Sequence, residues 1–162
     1  MRWILDACTL IYLAKARLFR KFIELTQFPV VIDSTVYEEV VIRGKHEEHK
    51  DAFEIEKLLK EFMIPVISVD VSKEIYLFRD AGETSCYILA KDHGICITSD
   101  ERAYKKFINF ELNTIRLDTF FFHAYQKRIL KKNEFMNILE QLETVNATKP
   151  KSILFFLEKL NQ

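Results

Sequence analysis

The chain has 162 residues, of which 49% are hydrophobic and 30% charged; that suffices for one domain with a full core and excludes a disordered chain. Three glycines and three prolines exclude collagenous, linker-like and many-turned all-β designs. Net charge is zero, so no global electrostatic footprint announces nucleic acid, and no apolar run approaches the ~18 residues of a membrane span.

The opening Met-Arg-Trp-Ile-Leu-Asp6 reaches an aspartate before a signal-peptide core can form. The three cysteines, Cys8, Cys86 and Cys96, lack CxxC spacing and read as small buried hydrophobes. A cytoplasmic protein without membrane attachment is the expectation. Residues 1–118 carry 17 basic and 20 acidic side chains, and residues 119–162 carry 7 and 4; the asymmetry is mild and receives no functional meaning at this stage.

In chain order, short β-branched runs alternate with helical patterns. Strands are predicted at 3–5, 30–32, 65–68, 95–98 and 114–117. Between them apolar residues recur at helical spacing, as in Leu10/Leu13/Ala14, Val36/Val40/Val41, Phe53/Leu58/Phe62 and Cys86/Leu89/Ala90. This alternation predicts βαβ units, right-handed crossovers and a mostly parallel sheet covered on both faces. After residue 118 the pattern turns wholly helical. A helix is predicted over 119–130, a second capped by Asn133 with the stripe Phe135/Ile138/Leu139/Leu142, and a third opened by Pro150. The expected organisation is therefore an α/β domain over 1–118 and a helical extension over 119–162, packed on the body, on a second copy or on a partner.

In parallel sheets ligands sit outside the carboxyl ends of the strands, so the residues just after each strand matter most. Asp6 follows the first strand and Asp100 the fourth. Glu83 opens a helix after Gly82, and Glu39 lies in the helix after the second strand, on the flank of the Val36/Val40 face. Each acid also has a plain structural reading. Asp6 and Asp100 can N-cap the helices that follow, Asp80-Ala-Gly-Glu83 fits a capping-box variant, Asp118 can cap the helix after it, and Glu39 can be an ordinary solvated residue. Four acids on one rim are harder to explain that way. Carboxylates gathered in a cleft repel one another unless some protonate or a cation offsets them. An all-oxygen set favours Mg²⁺ or Mn²⁺ over zinc, and such an ion suits phosphodiester hydrolysis.

The order and surroundings of these acids resemble the PIN domain family, nucleases that include the VapC-type toxins. The resemblance rests on Trp-Ile-Leu-Asp6-Ala-Cys-Thr-Leu-Ile, Ser34-Thr-Val-Tyr-Glu-Glu39-Val, Gly82-Glu83-Thr-Ser-Cys-Tyr-Ile-Leu-Ala90 and Ile97-Thr-Ser-Asp100-Glu-Arg-Ala, and covers about residues 1–118. It implies a three-layer α/β/α sandwich with a parallel five-stranded sheet and metal-dependent endoribonuclease activity. Asp6, Glu39, Glu83 and Asp100 would form the catalytic set, with Asp6, Glu83 and Asp100 on the Mg²⁺ or Mn²⁺ ion. It also allows an antitoxin partner or a homodimer. The alternative is a PIN-like module that binds RNA or protein without cutting. Cys8 stands where the family often has Asn or Ser, and Asp33 where proline is common.

Among the remaining polar residues, Thr98 can bond the Asp100 carboxylate or a water beside it. Lys15, Arg17, Arg102 and Lys105 can contact RNA phosphates, although charged helix residues are usually just solvated. The histidines of Lys45-His46-Glu47-Glu48-His49 are three apart rather than four, so this is not HExxH. No Ser/His/Asp arrangement, GxGxxG or Walker sequence is present.

Overall fold

The computed structural model describes residues 1–162. Its centre is a sheet of β1 (Arg2–Leu5), β2 (Val30–Asp33), β3 (Val66–Ile67), β4 (Gly94–Ile97) and β5 (Thr114–Ile115), in the order β3-β2-β1-β4-β5. Every pairing is parallel. The predicted strands are all present, each shifted by a residue or two at its ends. β1 and β4 read as continuous apolar runs because both of their faces are covered, as parallel sheets require; Ile4, Leu5, Cys96 and Ile97 are fully buried.

The helices are α1 (Ala7–Lys15), α2 (Phe19–Leu25), α3 (Ser34–Tyr37), α4 (Gly44–His46), α5 (Lys50–Glu61), α6 (Ile75–Phe78), α7 (Ala81–Lys91), α8 (Glu101–Asn109), α9 (Leu117–Gln126), α10 (Lys132–Thr144) and α11 (Pro150–Leu160). The chain steps outward from β1 to β2 and β3, then returns past β1 to β4 and β5. Right-handed crossovers in opposite directions put the connecting helices on opposite faces, which gives the three layers. α7 packs against β1, β2 and β4, while α1 packs against α2 and α5.

Between α3 and α4 the chain winds as a π-helix over Glu38–Arg43. Glu38 and Glu39 are both exposed there, and Glu39 Oε2 lies near the start of α7. Phe53, placed on the inner stripe by sequence, is 55% exposed; Ala52, Ile55 and Leu59 are the buried face of α5.

The last three helices join the body. α9 begins at Leu117 rather than 119, with Arg116 at its N-cap. Asp118 consequently does not cap it. It lies in the first turn, 3% exposed, and accepts hydrogen bonds from Thr119 Oγ1 at 3.2 Å and Thr148 Oγ1 at 2.8 Å. α10 is capped by Lys131, not Asn133; the Lys131 N–H donates to Glu134 Oε2 at 2.8 Å. Pro150 occupies the first turn of α11 as predicted. Phe120 packs on Trp3 and Phe22, with ring centroids at 5.4 and 4.6 Å. Phe122, Phe135 and Phe156 form a cluster at 4.9–5.8 Å. One core of 38 buried residues runs from Ile4 to Leu160.

Candidate active site

The strand order reverses between β1 and β4, and that switch point is where a doubly wound sheet opens a crevice at its carboxyl edge. Asp6 leaves β1 there and Asp100 follows β4. Both cap helices, as their structural reading expects, and both belong to one polar cluster. Asp6 Oδ1 accepts from Thr9 N at 2.8 Å, and Asp100 Oδ1 from Ala103 N at 2.8 Å. Thr9 Oγ1 donates to Ile97 O at 2.8 Å, which ties the start of α1 to the end of β4 and sets the spacing of the two aspartates. Thr98 is fully buried, and its Oγ1 accepts from the Asp100 backbone N–H at 3.1 Å rather than bonding the Asp100 carboxylate as expected. Its hydroxyl also lowers the Asp6 carboxyl, so Thr98 stands between the two acids.

The electrostatics record the crowding. Burial pushes the Asp6 carboxyl above its ordinary range; hydrogen bonds from Thr98 and Thr9 pull it back, and Asp100 adds to the rise. The half-buried Cys8 thiol is pushed up to about 12, by burial first and then by Asp6, Asp100 and Glu39. Glu39 is raised by partial burial and next by Asp80, with Arg43 opposing. The carboxylates thus feel one another across one rim.

Glu83 stands differently. Its Oε2 accepts from Lys106 Nζ at 2.7 Å, so its charge is already matched. Asp80 Oδ1 accepts from Glu83 N at 2.8 Å, the first half of the capping box, but the Glu83 carboxylate turns to Lys106 instead of completing it. Glu83, Asp80 and Asp100 line a cavity of about 530 Å³ with Arg79, Arg102 and Lys106. No three His, Cys, Asp or Glu side chains stand close enough to hold one ion between them, so Asp6, Glu83 and Asp100 do not form the three-carboxylate cage expected from the resemblance.

Sequence patterns single out neither Asp80 nor Asp33 as a site residue. Asp80 fits a cap by sequence, and in the structure its carboxylate also raises Glu39. A Cβ built on Gly82 would lie 3.3 Å from Asp80 Oδ1 and 3.8 Å from Glu39 Oε2, so glycine there lets both carboxylates approach the start of α7. Asp33 ends β2 as Asp6 ends β1. It is fully buried, its Oδ2 accepts from Thr35 N at 2.6 Å, and its Oδ1 has no partner. An aspartate directly after an apolar strand was the available signal for it.

Of the cations proposed for RNA, Arg102 is exposed beside the cavity. Lys15 pairs with Asp51 at 3.6 Å and Lys105 with Glu101 at 4.0 Å. Arg17 lies beyond the far end of α1, about 16 Å of helix from Asp6. His49 Nε2 lies 3.2 Å from Glu47, and no zinc-type grouping forms around it.

A sequence model of the PIN domain family matches residues 2–159. The chain belongs to the PIN domain family. The match extends over α9, α10 and most of α11, beyond the 1–118 stretch that carries the motif resemblance. No curated protein matches the chain. Among solved structures, a domain of a functionally unknown protein from Methanocaldococcus jannaschii DSM 2661 is similar at 18% identity and a TM-score of 0.49, over 72% of this chain and 90% of that one. The PIN fold is a nuclease-type fold, and PIN domains typically use divalent metals. No helix of this PIN domain is long and apolar enough to cross a membrane.

Proposed function

We propose that this PIN domain is a Mg²⁺- or Mn²⁺-dependent endoribonuclease. The observation that supports this best is the arrangement at the switch point, where Thr98 stands between the Asp6 carboxylate and the Asp100 backbone N–H and Asp100 adds to the rise of the Asp6 carboxyl. Mg²⁺ needs no protein cage: one or two carboxylates, several waters and a substrate phosphate suffice. Asp6 and Asp100 would supply those carboxylates, and the raised Asp6 carboxyl is a charge cost that a hard cation relieves. Such an ion, when bound, lowers the pKa of water and offsets charge on phosphoryl oxygens.

The chain's own groups do the rest. Thr98 holds both aspartates in register. Lys106 pairs with Glu83 and holds it at the cavity, where Glu83 orients a water toward the phosphorus. Arg102 takes a non-bridging phosphate oxygen. Glu39 and Asp80 add negative potential at the opposite side.

The test is cleavage of a fluorescently quenched RNA with and without Mn²⁺. Asp6→Asn and Asp100→Asn keep both capping acceptors, so each retains the fold by circular dichroism while metal-stimulated cleavage falls at least 100-fold, on the order expected when an interaction of ~3 kcal/mol with the transition state is lost. Wild-type cleavage that persists in excess EDTA overturns the proposal.

One observation favours a second reading, a module that binds RNA or protein without cutting: Glu83 is neutralised by Lys106 and no three-carboxylate group is assembled. The same assay separates the two, because this module leaves RNA intact in Mn²⁺.

A further inference from the structure

A second, larger cavity lies on the other side of Asp100. It has a volume of about 890 Å³, is lined by α8, α9 and α11, and shares its rim with the acidic site: Ser99 and Glu101, the residues on either side of Asp100, both face it. The volume is within the range of small-ligand sites, about 300–1,000 Å³.

Its charge is lopsided. The negative groups are spoken for. Glu101 takes a two-pronged contact from Arg116 at 3.0 and 3.1 Å, and the buried Asp118 is hydrogen-bonded by Thr148. The positive groups Lys149, Lys151 and Lys159 have no carboxylate within 4.0 Å. Lys149 and Lys151 flank the first turn of α11, which has no capping side chain and whose first residue is a proline. The Ser152 and Ile153 N–H groups donate to Lys149 O, and the positive end of the α11 dipole adds to the field. Phe155, one turn along α11, is 50% exposed in the cavity wall, with Lys159 Nζ 5.6 Å over its ring.

Ammonium groups without a carboxylate partner, beside a half-exposed ring with Lys159 over one face, are the ingredients of a single-stranded nucleic-acid platform: cations follow the backbone and a splayed base stacks on the ring's other face. A duplex keeps its bases stacked inside and has nothing to offer Phe155. An acidic peptide would satisfy the lysines but leaves the aromatic face and the continuity with Asp100 unused. We propose that this cavity is the docking groove for the single-stranded RNA segment on one side of the scissile phosphate, with Lys149, Lys151 and Lys159 on its phosphates and Phe155 under a base. This rests on the nuclease reading for the word scissile; the binding itself does not.

The experiment is fluorescence anisotropy of a 5′-labelled 12-mer of oligouridylate in EDTA, so that no cleavage intervenes. It is repeated from 50 to 300 mM salt, with polyglutamate as competitor. The triple variant Lys149→Gln/Lys151→Gln/Lys159→Gln is expected to bind at least tenfold more weakly and to lower the salt slope by about 2, the counterion release of three contacts to a single strand. Phe155→Ala is expected to weaken binding about tenfold with the salt slope unchanged. Crosslinking of 4-thiouridine-substituted RNA, mapped by mass spectrometry, is expected to fall on α11.

Wild-type affinity in the triple variant, displacement by polyglutamate at equal charge, or crosslinks confined to α1 would each overturn the groove. Its failure is distinct from failure of the nuclease reading. RNA held on α11 but never cut in Mn²⁺ sinks the nuclease alone, and RNA cut in Mn²⁺ with undiminished affinity in the triple variant sinks the groove alone.

Discussion

Asp6 carries two jobs that pull against each other. As an N-cap it stabilises α1, and one oxygen serves that purpose; as an ionised group beside Asp100 in a partly buried crevice it costs stability. Its folded carboxyl is raised above the unfolded value, so the native state holds the proton more tightly. Stability therefore falls as pH rises through the window between the unfolded and the raised folded value, and the deficit persists at neutral pH. Asn keeps the capping acceptor without the charge. Asp6→Asn is expected to raise Tm at pH 7 while losing activity, the pattern of residues kept for function. Mn²⁺ is expected to raise the Tm of the unmodified protein more than that of the variant; differential scanning fluorimetry reads both. An Asp6→Asn protein that melts lower at pH 7 would mean that the carboxylates do not strain one another.

At the scale of elements, the ends of helices show an unusual choice. With only three glycines in the chain, the left-handed positions fall to other residues: Arg17, Glu48, Met63, Arg79, His93, Glu111, Arg128 and Asn146 all have φ between 51° and 70°. A side chain in that conformation costs ~1–2 kcal/mol, partly offset by its lower unfolded-state entropy relative to glycine. Exposed Glu111→Gly is expected to stabilise by about 0.5 kcal/mol in urea titrations.

Gly94 serves another purpose. A Cβ there would lie 2.4 Å from Ile4 Cδ1 and 2.7 Å from Ala90 Cα, so it lets α7 approach the β1–β4 pair. Gly94→Ala is expected to destabilise by about 1–3 kcal/mol, read as a lower urea midpoint.

These ends also mark what a sequence can and cannot reveal. The strands and the positions of Asp6 and Asp100 were legible because apolar runs ending in an acid are local patterns. The π-helical turn at Glu39 was not, since composition at 38–43 is that of an ordinary helix. The Glu83–Lys106 pair joins residues on two helices, 23 apart in sequence. The groove on α11 stayed invisible because its lysines matter only once Ser99 and Glu101 are folded beside them.

At the scale of the whole molecule, the C-terminal helices complete the body. Phe120 packs on Trp3, Gln141 Nε2 donates to Ala16 O at 3.1 Å, and Lys21 stands 3.8 Å from Glu134. Fluorescence of Trp3, the only tryptophan, reports the junction between sheet and helices, while far-ultraviolet circular dichroism reports all helices. The two are expected to give one coincident urea transition; separate midpoints would show 119–162 unfolding on its own. The buried Asp118–Thr148 bond is part of that junction. Thr148→Val leaves a buried carboxylate short of a donor, with an expected loss of about 1–3 kcal/mol by the same titration.

The central strand carries one more consequence. β1 pairs on one side with β4, whose residues follow it by about 90 positions. On a ribosome adding roughly 5–20 residues per second, that separation is roughly 5–20 seconds. Throughout that interval Ile4 and Leu5 lack one neighbour and one hydrogen-bonding edge of β1 stays open. The nascent chain is therefore sticky along β1 until β4 emerges, and any chaperone that attends it has its natural foothold there.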